Sequence, residues 1–298
     1  MRRIVQLSML CGALGVVSAC SPDKTIATEN IPTAGVRFIN AVPDTGAAFG
    51  LDFRFVDLAE SNAQFRVRFR NTPTTSGGVT GSTQVQYKNT RAGSRHFRIF
   101  LDDTLQSVAQ TVLKDSTINV EAGKLYTVLL WGRARSTGAD RMQLKVIEEN
   151  VADPGTNVAL RVINATGTAI DVRQYPSTGT LPATATWANV GAYSISNYVT
   201  APPSRILYNV QPAGGGTALF ADGLALIGNP NGTTVGGCTV GVDCEGAPGT
   251  TVPGSAITAI IFPASVAGSN APQGGAFASP QMSFIWDRRP QRGCTSLC

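Results

Sequence analysis

The hexapeptide VRFINA at residues 36–41 returns as LRVINA at residues 160–165. Further matches follow in the same order: DFR at 52–54 with DVR at 171–173, Tyr87 and Ser94-Arg95 with Tyr198 and Ser204-Arg205, Gly123 and TVLLW at 127–131 with Gly254 and TAIIF at 258–262, and MQL at 142–144 with MSF at 282–284. Matches in a fixed order are the signature of an internal repeat. The sequence therefore predicts a tandem duplication, with a boundary near Asp153.

Each copy consists of short segments with the patterns of β-strands. Residues 64–70 alternate between Phe or Val and Arg, which is typical of a half-buried strand whose arginines face solvent. Residues 125–131 and 256–262 are continuous apolar runs, which favours strands at the centre of a sandwich. We expect an all-β chain with two tandem antiparallel immunoglobulin-like β-sandwich domains, each of seven or eight strands.

The composition of the 298 residues supports an all-β protein. The chain holds 32 Gly and 17 Pro, and charged residues make up 14%, which argues against helical, coiled-coil and highly charged disordered chains. The net charge is +5, but the basic residues are spread along the chain and do not form one cluster. Nucleic-acid binding is therefore not expected.

The first 19 residues have the pattern of a bacterial lipoprotein signal peptide. Arg2 and Arg3 precede an apolar stretch at residues 4–17, which is shorter than the roughly 20 residues of a membrane span. The following segment, VSAC at 17–20, resembles the lipobox, which implies cleavage before Cys20 and lipidation of that cysteine. Ser21 follows where inner-membrane lipoproteins carry Asp, which favours the outer membrane, and residues 20–34 are expected to form a flexible tether.

Three parts of the chain resemble the DUF4397 family of bacterial envelope proteins. The resemblance rests on VRFINAVPD at 36–44, AGKLYTV at 122–128 and the tandem LRVINA at 160–165, while FIWDRRP at 284–290 is similar to the end of lipoproteins in that group. It implies a β-sandwich fold and an envelope location, and it implies no activity. The expected domains are residues 35–153 and 154–298.

The second copy carries an insert at residues 227–252 that is rich in Gly, Thr and Pro. If Cys11 leaves with the signal peptide and Cys20 is lipidated, four cysteines remain: Cys238, Cys244, Cys294 and Cys298. An even number in an oxidising compartment predicts two disulfides. The short loops favour Cys238–Cys244 and Cys294–Cys298, the alternative being bonds between the insert and the tail. A zinc site is the rival interpretation, but these spacings suit it poorly.

The candidate catalytic residues all have simpler structural interpretations. His96, the only histidine, is expected to face away from Phe97 and Ile99 on an alternating strand, and therefore to lie at the surface. Asp102-Asp103 suit a turn, and Glu148-Glu149 suit a solvated strand end. Turn signals near Asp222, with residues 229–232 and Asp243, leave a weak Ca²⁺ site open, although the spacing matches no EF-hand loop. We expect no catalytic residues, no metal and no cofactor.

The leading hypothesis is a non-catalytic, lipid-anchored protein of the bacterial cell envelope that binds or scaffolds through its β-sandwich domains. Its expected contacts are the membrane, through the lipid anchor, and a polysaccharide or another envelope protein. The alternative is an envelope hydrolase or other enzyme with a site around His96, which would need a nucleophile and an orienting carboxylate.

Overall fold

The structure, a computed structural model, describes residues 31–45, 50–58, 66–71, 87–230 and 247–290. Within these residues, the strands up to the predicted boundary are β1 (Thr33–Asn40), β2 (Leu51–Phe55), β3 (Arg66–Val67), β4 (Lys88–Arg91), β5 (Gly93–Leu101), β6 (Val112–Val120), β7 (Leu125–Trp131) and β8 (Gln143–Glu148). A single helical turn, α1 (Gln106–Ala109), lies between β5 and β6. We call this part the first half.

The second half follows the same plan. Its strands are β9 (Val158–Asn164), β10 (Ile170–Pro176), β11 (Trp187–Val190), β12 (Ser194–Ile195), β13 (Val199–Ala201), β14 (Ile206–Pro212), β15 (Gly223–Leu224), β16 (Ala256–Phe262) and β17 (Gln281–Arg288). A short 3₁₀ helix at Gly275–Phe277 precedes β17. The described residues are therefore almost entirely strand and loop.

Each half contains an inner and an outer sheet. The inner sheets have the orders β4-β1-β7-β8 and β12-β9-β16-β17, with β13 also paired to β9. The outer sheets have the orders β3-β2-β5-β6 and β11-β10-β14-β15. The all-β sandwich prediction is confirmed. The pairing is antiparallel except between β1 and β7 and between β9 and β16, which run parallel in both inner sheets.

Three hydrophobic layers separate the four sheets. One layer fills the first sandwich around residues such as Phe53, Phe97 and Val128, and another fills the second sandwich around Tyr208 and Phe284. The third layer lies between the two inner sheets, and we call it the seam. Its side chains come from both halves: Ile39, Ala41, Leu129, Trp131 and Ile147 from the first, and Ile163, Ala165, Ile260, Phe262 and Ile285 from the second.

The seam explains why the central strands of the inner sheets are buried along almost their whole length. Every residue of β9 and β16 is buried, as are all but the first residue of β1 and of β7. One face of each strand packs into its own sandwich and the other face packs into the seam. Strands that are covered on both faces carry mostly apolar residues at successive positions, so the alternation expected of a half-buried strand is absent there.

The matched glycines Gly123 and Gly254 hold equivalent turns before the inner strands β7 and β16. Both have a positive φ, +76° and +78°, which glycine adopts without steric cost. Their amides donate to the carbonyl oxygens of Thr33 and Asn157, at 2.8 and 2.9 Å. Each turn thereby joins the beginning of one central strand to the segment that begins its parallel neighbour.

The sequence predicted one strand with a row of solvated arginines at residues 64–70. This prediction is wrong for the residues after Val67. Only Arg66–Val67 forms a strand, while residues 64 and 65 lie outside the described residues. Arg66 and Arg68 are exposed as expected. Arg70 is buried and has a φ of +55°, so the chain turns there and directs this side chain inward.

Candidate functional site

The repeated arginines of the two hexapeptides lie side by side with repeated threonines. In the parallel registers of the inner sheets, Arg37 stands next to Thr127 and Arg161 next to Thr258. The Nε atom of each arginine donates to its threonine hydroxyl, at 2.7 Å for Arg37 and 2.8 Å for Arg161. Parallel pairing of two matched strands thus places a buried arginine at the same position in each half.

The matched tyrosines cover the two arginines. The guanidinium carbon of Arg37 lies 4.6 Å from the ring centre of Tyr87, and that of Arg161 lies 4.7 Å from the ring centre of Tyr198. A guanidinium over an aromatic face is attracted by the ring quadrupole, more strongly where water is excluded. The sequence matches Arg37–Arg161, Tyr87–Tyr198 and Thr127–Thr258 therefore meet in three dimensions.

Two carboxylates complete this arrangement, and each contacts the arginines of both halves. The Nη2 atom of Arg37 lies 3.2 Å from Glu149 and 2.5 Å from Asp287. The Nη2 atom of Arg161 lies 2.7 Å from Glu149 and 3.3 Å from Asp287. The side chains of Arg37, Glu149 and Asp287 are fully buried, and that of Arg161 is 6% exposed. We call these four residues the charged cluster.

Hydroxyl groups hold the two carboxylates in place. Thr127 donates to Glu149 at 2.6 Å, and Tyr198 donates to Asp287 at 2.7 Å. Thr258 also donates to Asp287. A buried carboxylate is costly unless it is paired and hydrogen-bonded, and both conditions are met here. The charged cluster therefore pairs two positive with two negative charges, and both carboxylates also accept hydrogen bonds from hydroxyl groups.

The surroundings of Asp287 and Arg161 favour the ionised form of each. Burial by itself would raise the pKa of Asp287, but the charges of Arg161 and Arg37 hold it below its usual value. Burial would lower the pKa of Arg161, but Asp287 and Glu149 raise it. Burial raises the pKa of Tyr198, and the neighbouring Asp287 adds to that effect, so the tyrosine stays a donor.

Glu149 corrects the sequence prediction of a solvated strand end. Glu148 does lie at the surface, with a 38% exposed side chain, but the next residue turns inward. The sequence match of MQL at 142–144 with MSF at 282–284 is also shifted by two positions. Thr127 stands opposite Ile147 and Thr258 opposite Ile285, so Glu149 and Asp287 are the equivalent residues two positions further on.

The repeated asparagines of the hexapeptides close the end of each inner strand. The Oδ1 atoms of Asn40 and Asn164 accept from the backbone N–H groups of Val42 and Thr166, both at 3.0 Å. Their Nδ2 groups donate to backbone carbonyls in the outer-sheet region, for Asn40 to that of Val67 at 2.9 Å. Asparagine suits this role because its amide carries both a donor and an acceptor.

Arg70 ties the first half to a loop of the second half. Its guanidinium donates to the carbonyl oxygens of Pro263 and Ser279, both at 2.6 Å, and of Ala276 at 2.9 Å. It also donates to Oε1 of Gln281 at 3.1 Å. Burial lowers the pKa of Arg70 to about 10, which leaves it protonated at neutral pH. The side chain of Arg70 thus joins the two halves by hydrogen bonds.

His96 lies where the sequence placed it, on the outer face of strand β5. Its side chain is 41% exposed, while its neighbour Phe97 is completely buried. Nε2 of His96 lies 2.6 Å from Oδ1 of Asp115 on β6, and Nε of Arg98 donates to Oδ2 of the same carboxylate at 2.7 Å. These hydrogen bonds, that from His96 first, lower the pKa of Asp115. The sheet thus supplies a carboxylate partner for His96 on an open surface.

We expect the substitution His96→Gln to leave the urea midpoint of the protein unchanged within experimental error. Exposed ion pairs contribute little because solvent screens them and their side chains lose entropy. Arg98→Gln, which removes the other donor to Asp115, should behave in the same way. A clear fall in the midpoint for His96→Gln alone would show that His96 has a structural role that its contacts do not reveal.

The other candidate residues have structural partners or lie outside the described chain. Asp102 lies 2.8 Å from Arg66, directly after β5. Asp222 accepts hydrogen bonds from Tyr175 and from Asn209. Among the described residues, no group of three or more His, Cys, Asp or Glu side chains could hold a metal ion. The predicted sites at Cys20, Cys238, Cys244, Cys294 and Cys298, and Asp243 of the open Ca²⁺ interpretation, lie outside the described residues.

Comparison with known proteins identifies part of the chain. A DUF4397 domain is detected over residues 34–174. This family is described as a domain of unknown function, and the match extends from the second residue of β1 to β9 and most of β10. The DUF4397 match agrees with the resemblance of the hexapeptide region. No curated protein matches the chain.

One similar solved structure is "The Bacillus anthracis TIE protein", at 8% sequence identity and a TM-score of 0.19. The alignment covers 66% of this chain and 31% of that chain, so the present chain spans about a third of that protein's length. A similarity at this TM-score has no bearing on fold or function. In the part of the chain that the structure describes, no helix is long and apolar enough to cross a membrane.

Proposed function

We propose that the protein is a lipid-anchored component of the bacterial cell envelope that presents two joined β-sandwiches for binding or scaffolding and has no catalytic activity. The observation that carries this proposal is the charged cluster. Its buried charges pair with one another and with the hydroxyls beside them, so they hold the two inner sheets together. These charges are therefore not available to a substrate. Two domains joined by a flexible linker would present two surfaces that move independently. Two sandwiches packed through the seam would present one fixed surface.

The proposal includes a tandem duplication of one β-sandwich unit. Its support is the equivalence of the two inner sheets, in which Arg37 and Arg161 have the same strand register, the same threonine neighbour and the same tyrosine cover. The contributions to the seam are equivalent as well, because each half supplies residues from the same three strands. A duplicated unit whose inner sheet packs on that of its copy would bury the face that each copy leaves open.

The envelope location is supported by the segment VSAC at 17–20, which resembles a lipobox. It is also supported by the DUF4397 domain, because resemblance to that family implies an envelope protein. Acyl chains on Cys20 would anchor the protein because each buried CH₂ group contributes about 0.8 kcal/mol. The outer membrane is the favoured location, since Ser21 stands where retention signals carry Asp. A polysaccharide or another envelope protein is the proposed ligand.

We expect Cys20→Ala to release the protein from the membrane fraction. The parent chain should sediment with membranes and enter the detergent phase on phase separation, whereas the variant should not be processed to the acylated form. Cys11→Ala is the matched control, because that cysteine precedes the cleavage site, and it should behave as the parent. Mass spectrometry of the amino-terminal peptide measures the acylation directly. A Cys20→Ala chain that still carries acyl groups would rule out the anchor.

The binding role is tested by crosslinking in intact cells followed by purification from the membrane. Reproducible capture of one envelope protein or of one polysaccharide supports the proposal. The hydrolase alternative is less well supported, since the ring of His96 lies on the open face of a sheet and active sites usually exclude water from the reaction. Hydrolysis of an envelope polymer by the purified chain, lost in His96→Gln, would favour that alternative.

A further inference from the structure

The outward face of the outer sheet in the first half neutralises its own charges. Arg54 on strand β2 stands opposite Arg98 on β5, and Arg98 stands opposite Asp115 on β6. Nε of Arg98 donates to the carboxylate of Asp115 at 2.7 Å, and Nε of Arg54 donates to that of Asp52 at 2.6 Å. Each arginine of this row therefore has a carboxylate partner.

The second half repeats this row with a neutral residue at its centre. Arg173 on β10 stands opposite Asn209 on β14. Asp222 lies beside Asn209 at the beginning of β15, since Nδ2 of Asn209 donates to its carboxylate at 2.6 Å. The row therefore corresponds, strand for strand, to that of the first half, except that Asn209 replaces the central arginine.

Both charged residues of the second row have neutral hydrogen-bond partners. The guanidinium of Arg173 donates to Oε1 of Gln211 at 2.9 Å and, at 3.4 Å, to the carbonyl oxygen of Ala183. The carboxylate of Asp222 accepts from the neighbouring amide and from the hydroxyl of Tyr175. Within the described residues, neither charge thus has a hydrogen-bonded partner of opposite sign.

The repeated aspartate of β10, Asp171, is engaged elsewhere. Its oxygens accept from the backbone N–H groups of Asn189 and Gly214, at 2.7 and 3.0 Å. Asp222 is exposed and Arg173 is half-buried, so both side chains are in reach of solvent. This face therefore presents one positive and one negative charge, and each is open to an outside partner.

From this difference between the halves we infer that the outward face of the second outer sheet binds a peptide segment of a partner protein through one acidic and one basic side chain. The acidic side chain binds Arg173 and the basic one binds Asp222, so the partner supplies the two ion pairs that the first half makes by itself. Strand β14 lies between the two positions, which places their backbones about 10 Å apart, two strand spacings. Beside Arg173, the N–H₂ group of Gln211 is a donor for a peptide carbonyl, because its oxygen is already bonded.

A protein partner suits these two charges better than a polysaccharide does. Complementary charges of both signs give an interface its specificity. Amino-acid side chains supply both signs within a few residues, whereas the hydroxyls of a neutral sugar supply neither. Tyrosine and arginine, present on this face as Tyr175 and Arg173, are also enriched at protein interfaces. The inference deepens the proposed binding role by naming the class of partner, and it rests on that role.

The experiment measures the binding of synthetic peptides to the full chain, purified in a non-ionic detergent and immobilised for surface plasmon resonance. The probes are the acetylated and amidated peptides Glu-Gly-Gly-Lys and Lys-Gly-Gly-Glu, whose charged residues lie about 10 Å apart in an extended chain. In single-charge forms, glutamine replaces either the glutamate or the lysine, and in the neutral form it replaces both. The trimer of N-acetylglucosamine is the comparison for a polysaccharide.

We expect at least one doubly charged peptide to bind saturably at low ionic strength, and more weakly in about 1 M salt, where the screening length is about 3 Å. Arg173→Gln and Asp222→Asn should each weaken its binding about two- to fivefold, the range of an exposed ion pair. Arg173→Gln should not further weaken the peptide that lacks glutamate, which identifies the acid as the partner of Arg173. Arg54→Gln is the matched control, because it changes the counterpart in the first half, and it should bind as the parent does. An unchanged urea midpoint shows that each variant is folded.

The inference is overturned if neither doubly charged peptide binds, if the neutral peptide or the sugar trimer binds as tightly, or if Arg54→Gln weakens binding as much as Arg173→Gln does. In intact cells, crosslinking to a polysaccharide, or to a protein that Arg173→Gln captures equally well, would overturn it as well. Each of these results would leave the lipid anchor and the general binding role unaffected, so the two proposals are tested separately.

Discussion

Asp287→Asn is expected to lower the free energy of unfolding by about 3–5 kcal/mol, the cost of removing one partner from a buried ion pair. The substitution keeps the size of the side chain and removes its charge. Arg37 and Arg161 would then share the single carboxylate of Glu149, which leaves one positive charge buried without compensation. The measurement is urea unfolding followed by tryptophan fluorescence.

Asp153→Asn provides the matched control for this substitution. Asp153 pairs with Arg288 at 2.8 Å, but its side chain is 48% exposed. Water replaces the lost partner at such a site, so the urea midpoint should stay close to that of the parent chain. Equal effects of Asp287→Asn and Asp153→Asn would contradict the view that the charged cluster stabilises the seam.

The same variant should change the pH dependence of stability. The pKa of Asp287 in the folded protein lies below its value of about 3.9 in unfolded chains. The carboxylate therefore contributes its full stabilisation above that unfolded value, and the contribution is lost as the pH falls through the folded value. In the parent chain, stability should fall on acidification below about pH 4, and this part of the fall should be absent in Asp287→Asn.

Phe262→Ala is expected to lower the free energy of unfolding by about 3–5 kcal/mol, as is usual for the truncation of a buried aromatic residue. Phe262 is fully buried and belongs to the seam, where Trp131 is its equivalent in the first half. Packed sheets cannot collapse fully around the vacated volume, so a cavity remains. Leu181→Ala is the control, because Leu181 is 44% exposed and its truncation leaves no cavity. A loss below about 1 kcal/mol for Phe262→Ala would show that the inner sheets do not depend on their contact.

The sequence predicted the all-β sandwich because strand patterns are local. The continuous apolar runs at 125–131 and 256–262 identified the central strands of both halves correctly. It did not reveal that these strands are covered on both faces by different partners. A fully apolar strand is compatible with many burial arrangements, and only the packing of one inner sheet on the other distinguishes the seam from a single thick core.

The sequence indicated the arginines of the charged cluster but not its acids. Arg37 and Arg161 stood in the repeated hexapeptides, and their burial could have been suspected, since every other repeated position there is apolar or an asparagine. The acids were missed because one half uses Glu149 and the other uses Asp287, so no identity marked them. Acidic residues near a strand end are also common at protein surfaces, where water solvates the charge at little cost in free energy.

The contacts of Arg70 could not be predicted from the sequence, since its partners lie about 200 residues later, around the beginning of strand β17. Arg70 was expected to face solvent because the preceding residues alternate. The left-handed backbone at that residue, which ends the alternation, carries no signal in an arginine. Contacts between distant loops depend on tertiary packing and not on local pattern.

Native-state hydrogen exchange is the most direct test of the central claim that the two sandwiches are joined into one unit through the seam. The amides of the central strands Leu125–Trp131 and Ala256–Phe262 report on the first and the second half. If the seam joins them, both sets should exchange with the same opening free energy and the same dependence on urea. Two distinct opening free energies, with one half exchanging while the other remains protected, would contradict the claim.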